Sequence, residues 1–167
     1  RRSRKTKEKK TKFKFKSTER YLKGDPVYNN LVVSKFINQI MLDGKKTVAQ
    51  KIVYSAIEMI GKRIEGHEPL DIFLTAIDNV KPNLEVRSKR VGGATYQVPM
   101  EITRKRQQAL AVRVIVGNVR GRKGKPVAVS LADELSDAFQ KQGASIQWRE
   151  NTHKMAEANK LFAHFAW

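Results

Sequence analysis

The sequence predicts a mainly α protein: a six-helix bundle with one protruding β-hairpin arm and a disordered basic N-terminal arm. Three observations predict it. Apolar residues recur at three and four over six separate segments, as they do on one face of a helix. One stretch, residues 84–102, breaks that period: Gly92-Gly93 separates two runs rich in Val, Thr, Tyr and Ile. Residues 1–24 hold so many cations and so few apolar groups that ordering them has no evident compensation. The domain division that follows is a basic arm over 1–24 and a helical nucleic-acid-binding domain over 25–167.

Along the chain, Asp25-Pro26 marks a turn and the start of the domain. Val32, Val33, Phe36, Ile37, Ile40 and Met41 form the first stripe. Asp43-Gly44 is expected to stop that helix, with Gly44 just past its end. Thr47 is expected to cap the second helix, whose stripe runs from Val48 and Ala49 to Ile60 and Ile64 before Gly66. A third helix is expected to start near Pro69, a residue suited to the first turn, and Pro82 closes it. The fourth is expected over about Lys105 to Val119, the fifth over about Val127 to Gln142 with Gly143 at its end. The last is expected from about Thr152 to the C-terminus.

In the hairpin, a Gly92-Gly93 turn pairs Val91 with Ala94 and Lys89 with Tyr96. One face then carries Arg87, Lys89, Tyr96, Val98 and Met100, and the other Val86, Ser88, Arg90, Thr95 and Gln97. Neither is cleanly apolar, so the expectation is a ribbon with no core to bury against. Cations beside an aromatic ring suit phosphate contact and base stacking; an ordinary solvated surface hairpin is the alternative.

The charge is unevenly placed. The 167 residues hold 34 Lys and Arg against 16 Asp and Glu, a net charge of +18. Residues 1–23 carry net +10, residues 84–106 net +4 and residues 113–125 net +5, leaving the other 108 residues at −1. A near-neutral body with attached basic zones can fold without self-repulsion and still attract a polyanion. Nucleic acid leads, with an anionic membrane surface second. There is no cysteine, which excludes disulfides and thiolate zinc sites. No apolar run approaches the roughly 20 residues that span a bilayer, so no membrane partner is expected.

The candidate RNA contacts follow these zones. In the arm they are Lys5, Lys9, Lys10, Lys12, Lys14 and Lys16, with Phe13, Phe15 and Tyr21 interspersed for stacking; a solvated tail or localisation tract is the alternative. Between the first two helices they are Lys45 and Lys46. On and after the hairpin they are Arg87, Lys89, Arg90, Tyr96, Arg104, Arg106 and Arg113. In the glycine-containing loop after the fourth helix they are Arg120, Arg122, Lys123 and Lys125, and on the last helix Lys154.

No catalytic set emerges, so no enzyme is expected, and no cofactor or metal. His67 lies in a turn, and His153 and His164 are too far apart along a helix to share a metal. Gly44-Lys45-Lys46-Thr47 lacks the first glycine and the Ser or Thr of a phosphate loop and follows a helix. Asp133, Glu134 and Asp137 are expected to form an acidic patch facing solvent or a partner.

Four stretches resemble small-subunit ribosomal protein seven, of the bacterial and organellar type. They are Asp25-Pro26-Val27-Tyr28 with the following helix to Asp43-Gly44-Lys45-Lys46; Ile52-Val53-Tyr54-Ser55-Ala56; Val86 through Pro99; and His153 through Lys160 with Phe162-Ala163-His164 and Trp167. The resemblance covers about residues 25–167. It implies a six-helix bundle with a hairpin arm, and a primary rRNA-binding protein that nucleates assembly of the small-subunit head. It implies a place near the exit-site tRNA and the mRNA exit path, contacts with ribosomal proteins nine and eleven, and a cytoplasmic bacterial ribosome or an organellar one. Arg87, Lys89, Arg90 and Tyr96 match the family hairpin, and Arg120 to Lys125 a basic family loop of variable sequence. The arm before Asp25 is longer than usual in bacterial members, and Ala166 stands where the family often has a cation. The other classes weighed are a histone-like DNA packager, disfavoured by the hairpin and the C-terminal stretch, and an RNA-modifying enzyme, disfavoured by the missing constellation. DNA is therefore not an expected partner.

Overall fold

The computed structural model describes residues 21–166, so the arm lysines from Lys5 to Lys16 lie outside the described residues. Among the described residues, six α-helices surround one core: α1 (Leu31–Ile40), α2 (Lys46–Arg63), α3 (Pro69–Val80), α4 (Arg104–Gly121), α5 (Val127–Phe139) and α6 (Ala144–Ala158). The strands β1 (Leu84–Val91) and β2 (Ala94–Glu101) stand between α3 and α4, and a 3-10 helix, Lys160–Phe165, follows α6.

Helix α5 is the hub: it packs against α2 and α3 most extensively and also touches α4 and α6. It can do so because Leu131, Ala132, Leu135 and Ala138 are all fully buried, the alanines allowing close approach. Phe36 of α1 and Phe73 of α3 meet edge to face, 5.3 Å between centroids. Asn79 of α3 donates its amide to the carbonyls of Ala138 (3.1 Å) and Phe139 (3.2 Å). Those carbonyls belong to the last turn of α5, where the helix itself offers no donors.

Several helix ends differ from expectation, each for a local reason. Helix α1 ends at Ile40. Met41 leaves it in extended backbone yet still packs on the core, which is why it continued the apolar pattern. Gly44 therefore does not end α1; with Asp43 it forms a left-handed turn, φ 70° and 50°. Helix α2 then begins at Lys46 with Lys45 at the N-cap and no side-chain cap, so Thr47 lies inside it.

The larger difference is α6. Gly143 does not end α5; it is the N-cap of α6, which starts eight residues before Thr152. Its φ of 89° favours glycine, and a Cβ there would come 2.9 Å from the Asp137 Cβ. After Ala158 the chain tightens into the 3-10 helix instead of continuing as α-helix.

The hairpin has the expected register, with Val91 opposite Ala94 and Lys89 opposite Tyr96. Gly92 and Gly93 both take positive φ, 58° and 90°, as a two-residue turn of the primed type requires. The expectation of a ribbon without a packing partner is overturned. Val98 is fully buried, β1 lies along α6, and β2 lies along the 3-10 helix. The pairing was visible locally; the docking depends on residues distant in sequence.

Candidate nucleic-acid interface

Three surfaces carry the described cations. The first is the hairpin. Arg87 and Arg90 are exposed on opposite faces of the pleat. Ser88 and Gln97 are hydrogen-bonded across the strands on the Arg90 face, the Gln97 amide donating to Ser88 Oγ at 3.0 Å. Arg106, at the start of α4, forms an ion pair of 2.7 Å with Glu85, which also takes Arg87 at 3.3 Å. The Arg106 guanidinium is the main reason the Glu85 carboxyl is held below its ordinary pKa; burial opposes it and Arg87 adds to it. Arg106 thus braces β1 against α4, while Arg104 beside it is exposed.

Tyr96 and Lys89 do not stand open for stacking and phosphate contact as the sequence implied. The Tyr96 ring lies 5.2 Å from Phe162 and 5.1 Å from Phe165. Lys89 Nζ donates to the Phe165 carbonyl at 2.7 Å.

The second surface is a groove of about 330 Å³ between α1 and α4, lined by Lys35, Asn38, Gln39, Lys105, Gln108, Ala109, Val112 and Arg113. Arg113 was named from the sequence; Lys35 and Lys105 were not. Their signal was available: Lys35, Asn38 and Gln39 form the polar face opposite the α1 stripe. Lys45 and Lys46 are exposed at the far end of α1.

The third surface, the segment after α4, divides. Lys123 is exposed. Arg120, expected in the loop, lies in the last turn of α4, which runs to Gly121, and its Nη2 donates to the Ile40 carbonyl at 3.2 Å. Lys125 pairs with Asp133 at 3.2 Å, and Arg63 pairs with the same carboxylate at 2.7 Å. These cations, Arg63 foremost, outweigh the effect of burial and hold the Asp133 pKa down. Arg122 pairs with Glu134, which is fully buried. The acidic patch expected on α5 is therefore two ion-pair sites. Lys154 is exposed on α6, and among the described residues no His, Asp or Glu group could hold a metal.

A near-neutral helical body whose exposed cations include groups on a ribbon, along a groove and on a loop has the build of a polyanion-binding protein such as an RNA binder. The family model for ribosomal protein S7p/S5e matches residues 9–160. The chain belongs to that family, which is structural rather than enzymatic. It is similar to small ribosomal subunit protein uS7 of Rhodopirellula baltica, 59% identical over 152 residues, 90% of this chain and 97% of that one. The uS7 of Nautilia profundicola is 57% identical over 143 residues, 86% of this chain and 92% of that one. For the uS7 of Chlamydia pneumoniae the values are 53% over 149 residues, 89% and 95%.

Proposed function

We propose that this chain is an rRNA-binding structural constituent of the small ribosomal subunit. In this reading it nucleates assembly of the subunit head. Its hairpin tip lies near the exit-site tRNA and the mRNA exit path, and it touches ribosomal proteins nine and eleven. The bacterial relatives favour a bacterial, cytoplasmic ribosome. The observation that carries the RNA reading is the placement of Lys35, Lys105 and Arg113 along one groove, with Lys105 in the first turn of the helix that follows β2. Such a groove can follow a phosphate backbone, while the hairpin reaches a neighbouring strand. Affinity comes mainly from phosphate contacts and counterion release, and specificity from the folded shape of the rRNA. The lysines of the N-terminal arm, from Lys5 to Lys16, extend the same electrostatic contact.

In filter binding at equal salt, an rRNA fragment of the subunit head should bind much more tightly than duplex DNA. Equal affinities would overturn the reading in favour of a histone-like packager. Arg113→Ala should weaken RNA binding and lower the slope of log affinity against log salt by about one. Removal of residues 1–20 should lower that slope further, with the helical circular dichroism retained.

A further inference from the structure

We infer that the terminal 3-10 helix, Lys160–Phe165, is a latch that sets the direction of the hairpin arm, with Tyr96, Phe162, Phe165 and Lys89 as its positioning residues. This rests on the RNA-binding reading above for its functional consequence, but not for its geometry. Lys89 and Tyr96 are cross-strand partners, and the same short segment engages both. Phe162 and Phe165 stack on each other, 6.5 Å apart at 14°, and both rings contact Tyr96. The ammonium of Lys89 is held by the Phe165 carbonyl. A second fastening lies at the base, where the Asn83 backbone N–H donates to His153 Nε2 of α6 at 3.0 Å.

A two-stranded ribbon is by itself a weak structure that bends easily. Fastened at its base and again at the Lys89–Tyr96 rung, it has only the Arg90–Thr95 tip projecting beyond the last support. The latch therefore fixes where Arg87 and Arg90 point before any RNA arrives. Pre-set direction lowers the ordering cost of binding. An arm that samples the correct direction only a tenth of the time would bind about tenfold more weakly. The latch also gives Tyr96 a role other than base stacking.

The chain has no cysteine, so a Lys51→Cys, Thr95→Cys pair can carry two spin labels, on α2 and on the hairpin tip. Pulsed dipolar spectroscopy of the otherwise unaltered labelled chain should give a narrow distance distribution. Phe165→Ala and Tyr96→Ala should each broaden it, and Tyr96→Phe should not. The same Ala variants should bind the head rRNA fragment about tenfold more weakly with the salt slope retained, because no phosphate contact is removed. Phe165→Ala is the decisive variant, since it leaves the Tyr96 ring in place. An unchanged distribution in Phe165→Ala with the helical signal intact would overturn the latch. So would a broadened distribution with undiminished RNA affinity, which would show that arm direction does not matter. Failure of the parent chain to bind rRNA would overturn the RNA reading alone, because the distance measurement needs no RNA.

Discussion

Arg122→Ala should lower the stability of the folded chain by about 3 kcal/mol, near the lower end for removing one partner of a buried ion pair. The ordinary expectation for a cation in a glycine-containing loop is no effect, since surface ion pairs contribute little. Here the carboxylate half of the pair is inside the fold, while Arg122 reaches it from a partly exposed position. Glu134 is fully buried, and its other oxygen, Oε1, accepts from the Ser145 backbone N–H at 2.9 Å and the Ser145 hydroxyl at 2.5 Å. Asn118 of α4 donates to the same hydroxyl at 3.0 Å. One carboxylate thus joins three helices and supplies an acceptor to the first turn of α6, where backbone N–H groups have no partner within the helix. Its negative charge at that end is also favourable to the α6 dipole. Removing Arg122 leaves this charge buried with neutral donors alone. Urea unfolding should show the loss as a lower midpoint, while Lys123→Ala on the same loop should leave the midpoint unchanged. The RNA salt slope should behave the other way, falling by about one for Lys123→Ala and holding for Arg122→Ala. A midpoint for Arg122→Ala equal to that of the parent would mean that Glu134 finds its compensation elsewhere.

That network marks the boundary of what local sequence can disclose. Helix α3 was readable to within a residue or two because Pro69 opens it, Pro82 lies just past its end and a clean stripe lies between. The hairpin itself was readable from two adjacent glycines between strand-like runs, but its register depended on the turn being Gly92-Gly93 and not a wider one, which only the structure fixes. The start of α6 was not readable, because what it buries first includes Ser145 and Thr152, and apolar periodicity does not register a buried hydroxyl. Gly143 carried a true signal, a left-handed residue between helices, but such a residue serves as well before α6 as after α5. Charge alone likewise does not show which cations are paired within the fold. Arg122, Lys125 and Arg106 look like RNA contacts in a list of cations, yet each faces a carboxylate supplied by another element. Arg90, Arg104, Arg113 and Lys123 are exposed, and Arg87 is exposed while also reaching Glu85 of its own strand. The docking of the hairpin was hidden because its partners lie at the other end of the domain.

Asp25→Ala should be the second large loss, about 3 kcal/mol, from several donors left without a charged acceptor. Asp25 Oδ2 accepts from the Val27 N–H at 3.2 Å, the Tyr28 N–H at 2.9 Å and the Tyr54 hydroxyl at 3.2 Å, and Oδ1 accepts from the Asn30 N–H at 2.9 Å. It winds the turn that delivers Asn30 to the N-cap of α1, where the Asn30 side chain accepts from Val32 N at 2.7 Å, and it ties that turn to α2 through Tyr54. Burial alone would raise its pKa. The donors from Tyr28, Asn30, Val27 and Tyr54 together outweigh burial, so the folded-state pKa lies below its ordinary value. The consequence for acid stability has a definite sign. In the unfolded chain an aspartate titrates near pH 3.9, so above that pH both states hold the charge and the full contribution is present. As pH falls below it, the unfolded state takes up the proton first, and the contribution is lost as pH drops through the lowered folded value. The stability gap between the parent and Asp25→Asn should therefore be constant at neutral pH and close as the pH falls through the carboxylate range. Glu85 and Asp133, also held low by their cations, steepen the acid limb of both proteins alike and cancel in the difference. Urea midpoints measured for the pair from neutral pH down to the acid limb would test this; a gap that widened on acidification would mean that Asp25 is protonated in the fold and that its four contacts are made by a neutral acid.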